Sequence, residues 1–172
     1  MKGHVILSHG LESSPNATKV SALAAVAERL GWSHERPDYS DIDAGRRVAD
    51  IDLRIARLRE RAEAACGKGP VVLAGSSMGA FVSGFVSQEL PTAGLFLMAP
   101  PIAIDGFPRR FDAARVPTRI VHGWDDELIP AQAVIDWAYP RRDGLVLVAD
   151  SHRLAAHVEF CAEEFGRFLQ GL

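Results

Sequence analysis

The sequence predicts an α/β protein: a doubly wound, mostly parallel sheet of about six strands with helices on both faces. Three observations carry that expectation. Five short apolar runs, His4 to Ser8, Val71 to Ala74, Gly94 to Ala99, Arg119 to His122 and Gly144 to Ala149, lack the alternation of a half-exposed strand, as strands covered on both faces do. The segments between them step their apolar residues by three and four, the helical period. The second run ends in Gly75-Ser76-Ser77-Met78-Gly79 and passes straight into a helix-compatible stretch, the layout of a tight strand-to-helix turn.

Taken in order, His4 to Ser8 is the first strand. Val20, Leu23, Ala24, Ala27 and Leu30 then form one helical stripe that Gly31 stops. His34 to Tyr39 reads as a weaker strand, polar and holding Pro37, which suits a sheet edge because proline donates nothing to a ladder. Val48, Ile51, Ile55, Leu58, Ala62 and Ala65 make the next helix, with Asp43 as a possible N-cap and Gly67 as the stop. Its shortness and its place between two strands argue against a coiled coil. Val158, Cys161, Phe165, Phe168 and Leu172 step along the last helix, and their aromatic stripe reads as core. With right-handed crossovers this order collects the carboxyl ends of the strands at one edge of the sheet, where ligands gather.

A length of 172 residues and a hydrophobic share of 48% suit a single domain spanning 1–172. The net charge of −3, spread without a broad basic face, speaks against a nucleic-acid or anionic-membrane partner. Arg109-Arg110 and Arg141-Arg142 read as solvated loop pairs. Cys66 and Cys161 fall in no metal-ligand or disulfide spacing, so no metal is expected. Neither a secretory apolar region nor a bilayer-length stretch is present, and the expectation is a soluble, cytoplasmic protein. Nothing in the residues speaks to the oligomeric state.

The chemistry starts at Ser77. A serine hydroxyl becomes a nucleophile when a sharp turn holds it out beside a base, and Gly75 and Gly79 are small where strand and helix backbones would meet. Ser76 is the rival hydroxyl, but its register places it on the flank of the turn. The base and its acid should come from later strand ends. His122-Gly123-Trp124-Asp125-Asp126-Glu127-Leu128-Ile129-Pro130 supplies acids, and Asp150-Ser151-His152 supplies a histidine that follows a strand and precedes a helix. Of the other histidines, His4 and His34 begin expected strands and His157 lies within the last helix. The amide of Met78, next after the serine, is a candidate oxyanion donor.

The chain resembles small bacterial serine carboxylesterases of the α/β-hydrolase fold superfamily, of the kind with a minimal or absent lid. The resemblance rests on His9-Gly10-Leu11-Glu12-Ser13-Ser14-Pro15 after the first strand, on Gly75 to Gly79, on His-Gly-x-x-Asp-x-x-Ile-Pro from His122 to Pro130, and on the late His152. It implies that Ser77, Asp126 and His152 form a catalytic triad, with Asp125 the runner-up for the acid. It also implies that the Leu11 amide completes the oxyanion hole and that His9 and His122 support loops. No cofactor is implied. The family's N-terminal antiparallel hairpin is missing, and the short stretch from Pro100 to Phe111, between strands where larger relatives insert a lid, leaves room for a small flap at most. Leu11, Met78, Phe81, Pro101, Ile102 and Trp124 would then line a shallow pocket for a small-molecule ester or thioester. Ser151 stands where a glycine often precedes the family histidine. Two other readings use the same residues: a ligand-binding protein that keeps the fold without turnover, and an acyltransferase.

Overall fold

A computed structural model describes residues 1–172. Its sheet contains β1 (His4–Ser8), β2 (Ser33–Glu35), β3 (Val71–Ser76), β4 (Gly94–Met98), β5 (Thr118–Gly123) and β6 (Gly144–Val148). They lie in the order β2-β1-β3-β4-β5-β6 and every pair is parallel. The helices are α1 (Thr18–Arg29), α2 (Ser40–Asp43), α3 (Asp50–Ala65), α4 (Met78–Glu89), α5 (Ala131–Ala138) and α6 (Val158–Gln170), the last entered through a 3-10 turn at Ala155–His157.

The two-residue period of a strand sorts its side chains between two cores. Ile6, Leu73, Leu95, Leu97 and Ile120 pack with α3, α4 and α5, while Val5, Leu7, Val72, Phe96, Met98 and Val121 pack with α1 and α6. Each wholly buried Leu or Ile contributes about 1.5–3 kcal/mol. Because both faces are covered, every residue of β3 and β4, and of β1 after His4, is buried, which is why these strands read as apolar runs. The chain leaves β1 for the edge strand β2 and returns to β3 on the other side of β1. The carboxyl ends of β1 and β3 therefore flank the point where the winding reverses, the usual crevice of an open α/β sheet.

Several local expectations need correction. The edge strand is Ser33–Glu35 rather than 34–39; it ends before Pro37, which has no N–H to extend the ladder. Asp43 does not cap α3. It closes the four-residue α2, and its carboxylate accepts from the Arg54 guanidinium. The helix starts at Asp50, whose carboxylate accepts the Arg47 amide, and Val48, expected on the buried stripe, lies ahead of the helix and is exposed. Gly31 and Gly67, with φ of 81° and 84°, follow α1 and α3 as expected stops.

Candidate active site

The turn between β3 and α4 sets the site. Ser77 has φ 53° and ψ −117°, a region that costs a non-glycine residue about 1–3 kcal/mol. The surroundings enforce it. The Ser77 N–H donates to the Met98 carbonyl on β4 at 2.9 Å, and the Ser77 carbonyl accepts from Phe81 at 3.0 Å. A Cβ on Gly75 would strike the Gly79 backbone, and a Cβ on Gly79 would strike the Ser8 carbonyl, so the close approach needs glycine at both positions. Ser76 still belongs to β3, paired with Met98 and buried. Ser77 alone stands at the tip.

His152, in the loop after β6, places Nε2 2.9 Å from Ser77 Oγ and Nδ1 2.8 Å from Asp126 Oδ2. A carboxylate only accepts, so Nδ1 carries the proton and Nε2 is free to accept one. Asp126 is held from behind: its Oδ1 takes the amides of Leu128 at 2.9 Å and Ile129 at 2.8 Å, and its side chain is wholly buried. The rival Asp125 is exposed, its amide spent on the Asp150 carbonyl. The backbone N–H groups of Gly10, Leu11 and Met78 donate to no protein acceptor. The Gly10 backbone lies beside Ser77, and Met78 opens α4, whose N-terminal amides favour negative charge.

No family model and no curated protein matches the chain, but solved structures do. A protein of the alpha/beta hydrolase superfamily from Xanthomonas campestris pv. campestris is 55% identical over 99% of both chains, with a TM-score of 0.96. The chain belongs to the α/β-hydrolase superfamily. That membership supports a hydrolase. A lidless α/β serine hydrolase from Xanthomonas campestris (22% identical, 98% of this chain and 81% of that one, TM-score 0.74) and an esterase from Pyrococcus furiosus (16%, 98% and 82%, TM-score 0.74) share the fold.

Within this α/β-hydrolase scaffold the other expected residues scatter. Trp124 and Leu11 are exposed, as is Leu128, two residues after Asp126. Pro101 is buried and Ile102 packs on the α3–α4 core. Phe81 is not a lining residue. It is fully buried, its ring 5.0 Å from Phe85 and 5.6 Å from both Phe107 and Phe111. A position four residues after the nucleophile lies one helical turn away, and here that turn faces the core. The same aromatic cluster accounts for the Pro100–Phe111 stretch, which is drawn down onto α4 by Phe107 and Phe111, while Ser77 is half-buried. No three His, Cys, Asp or Glu side chains form a metal-ion site, and no helix is long and apolar enough to cross a membrane.

The residues that hold the His152 loop were not singled out by sequence reasoning. Asp150 accepts from the Ser151 and Ala156 amides and from His157 Nδ1 at 2.9 Å. Burial alone would raise its carboxyl, but these hydrogen bonds outweigh that and hold it below the usual carboxylate range. Glu127 accepts the His152 amide at 3.1 Å, and amide hydrogen bonds, its own first, keep it low as well. The left-handed residue of the loop is Leu154, with φ 53°, and not Ser151; a glycine before His152 is therefore not required.

Two further imidazoles support the site from within. His122 Nε2 donates to the Ile129 carbonyl at 2.9 Å, bracing the turn that carries Asp126, and His9 lies under the β1 loop. Burial pushes both below the ordinary imidazole value. The unfolded chain therefore binds more protons than the native one below pH about 6.5, and stability present above that pH is lost as pH falls. The denaturant midpoint is expected to drop between pH 7.5 and 5.5, above the carboxylate range. A midpoint constant across that window would contradict the buried neutral assignment.

Proposed function

We propose that the protein is a serine hydrolase of the carboxylesterase type, acting on small esters or thioesters through an acyl-enzyme on Ser77. The observation that supports this reading is the continuous hydrogen-bonded line from Ser77 Oγ through His152 to a buried Asp126, at a serine held in a strained turn. Ser77 Oγ attacks the substrate carbonyl carbon while His152 Nε2 takes its proton, and Asp126 holds the imidazolium in place. The Leu11 and Met78 amides receive the tetrahedral oxyanion. His152 then protonates the departing alkoxide or thiolate, leaving an ester on Ser77. Water attacks that ester, His152 takes its proton, and the proton returns to Ser77 Oγ as the acid leaves. No step calls on a metal or cofactor.

Substrate size follows from the path of the Pro100–Phe111 stretch. With that stretch packed on α4, and with only Leu11 and Trp124 of the expected lining residues exposed, an acyl tail beyond them stays in water. Each added methylene then gains far less than the ~0.8 kcal/mol of full burial, and kcat/KM on a p-nitrophenyl ester panel is expected to peak at about C2 to C6. No jump in rate is expected above the substrate's micelle concentration. A preference for C12 esters or longer would contradict the open site, and absence of Ser77-dependent turnover on every ester and thioester tested would contradict the function.

A further inference from the structure

Arg54 is the largest fully buried side chain of the protein, and the hydrolytic mechanism leaves it unused. It sits on the buried stripe of α3, three residues after Ile51 and four before Leu58. Its guanidinium reaches three groups. One edge grips the Asp43 carboxylate, with Nε 2.7 Å from Oδ1. Nη1 donates to the His9 carbonyl at 2.9 Å and Nη2 to the Gly10 carbonyl at 3.1 Å. The group lies over the Tyr39 ring, whose centroid is 4.5 Å from Cζ. Tyr39 in turn meets Ser8 Oγ at 3.0 Å, and its amide donates to His9 Nε2 at 3.1 Å. With Nε2 accepting, the His9 proton lies on Nδ1, which donates to the same Gly10 carbonyl at 2.8 Å.

The Gly10 carbonyl thus accepts two hydrogen bonds from the interior, one of them from a cation. In a trans peptide the C=O and the next N–H point in opposite directions. Pulling the Gly10 oxygen toward Arg54 aims the Leu11 N–H the other way, out of the core, and that N–H has no protein acceptor. We infer that Arg54, acting with His9, is a positioning residue that fixes the Gly10–Leu11 peptide so that the Leu11 amide faces an oxyanion formed at Ser77. The inference rests on the functional reading above. The guanidinium also polarises the peptide from behind, which strengthens its N–H as a donor. A purely structural role is a poor account of this residue, since buried ion pairs can often be replaced by apolar side chains at no loss of stability. A charge aimed at two consecutive carbonyls fixes an orientation, which an apolar side chain does not do.

The test compares the wild-type protein with Arg54→Met and Arg54→Lys on p-nitrophenyl acetate, and measures the affinity of a short trifluoromethyl ketone, which forms a tetrahedral oxyanion adduct with an active serine. Removing an oxyanion donor outright typically costs about 10²–10³ in kcat, so releasing its aim in Arg54→Met is expected to lower kcat about 10- to 100-fold. KM should stay within about twofold and ketone affinity should weaken by the same factor as kcat. Arg54→Lys keeps a charge but cannot span both carbonyls, and should recover part of the loss. A folded Arg54→Met with wild-type kcat and ketone affinity overturns the inference and leaves the function standing, as does a loss confined to KM. Wild-type protein without Ser77-dependent turnover overturns the function and the inference together. If Arg54→Met does not fold, Asp43→Asn loosens the guanidinium without removing it. A kcat reduced about 3- to 10-fold there supports the positioning role, and an unchanged one overturns it.

Discussion

Ser77→Ala is expected to lower turnover of p-nitrophenyl acetate by about 10⁴-fold or more while the protein unfolds with wild-type cooperativity. A loss of that size corresponds to more than about 5 kcal/mol of transition-state stabilisation. The Ser77 hydroxyl contacts only His152 Nε2, whereas the turn is held by the Ser77 backbone and by the approach of Gly75 to Gly79. Alanine therefore removes the nucleophile and leaves the scaffold. Residual activity would come from the Leu11 and Met78 amides and from binding. A variant that retains a tenth of the wild-type rate would place the reaction elsewhere.

Asp126→Asn should cost about 10³–10⁴ in kcat, and Asp125→Asn should stay within about twofold. The difference follows from what each carboxylate touches. Oδ1 of Asp126 is committed to the Leu128 and Ile129 amides, so an asparagine keeps its oxygen there and turns its NH₂ toward His152. That NH₂ cannot accept, the imidazole proton moves to Nε2, and the ring can no longer take the Ser77 proton. Asp125 is exposed and contributes only a backbone bond to Asp150. A larger loss in Asp125→Asn would mean the acid had been assigned one residue too far along the chain.

What could be read from the sequence follows from how local each constraint is. The strands were legible because burial on both faces leaves the interiors of β1, β3 and β4 without polar positions, and the elbow was legible because its two glycines and its serine lie within five residues. His152 could be picked from six histidines because it alone follows a strand end and precedes a helix late in the chain. Asp126 needed the family's register, since Asp125 and Glu127 are equally acidic neighbours. Phe81 misled for a geometric reason. Closeness to Ser77 along a helix says nothing about which face a residue presents, and the rings that claim it, Phe107 and Phe111, come from a different segment.

Arg54 hid in plain composition. In α3 it is one of several arginines and glutamates that look like a solvated face, yet its position in the stripe of Ile51, Ile55 and Leu58 puts it inside. That phase is the available signal, and only the tertiary arrangement shows what it meets: two carbonyls of the β1 loop and the carboxylate of Asp43, which in sequence resembles a helix cap. Asp43 is ambiguous in sequence for the same reason. An acidic residue a few positions ahead of a helix looks like a cap when its long-range partner is unknown.

The most direct test of the central claim, that Ser77 is the activated nucleophile, is labelling with an active-site phosphonate followed by mass-spectrometric mapping of the modified peptide. Oγ should become phosphonylated at Ser77 alone in the wild-type protein, with the stoichiometry of labelling matching the loss of esterase activity and no incorporation in Ser77→Ala. Incorporation at Ser76, undiminished incorporation in Ser77→Ala, or full esterase activity in protein labelled at Ser77 would contradict it.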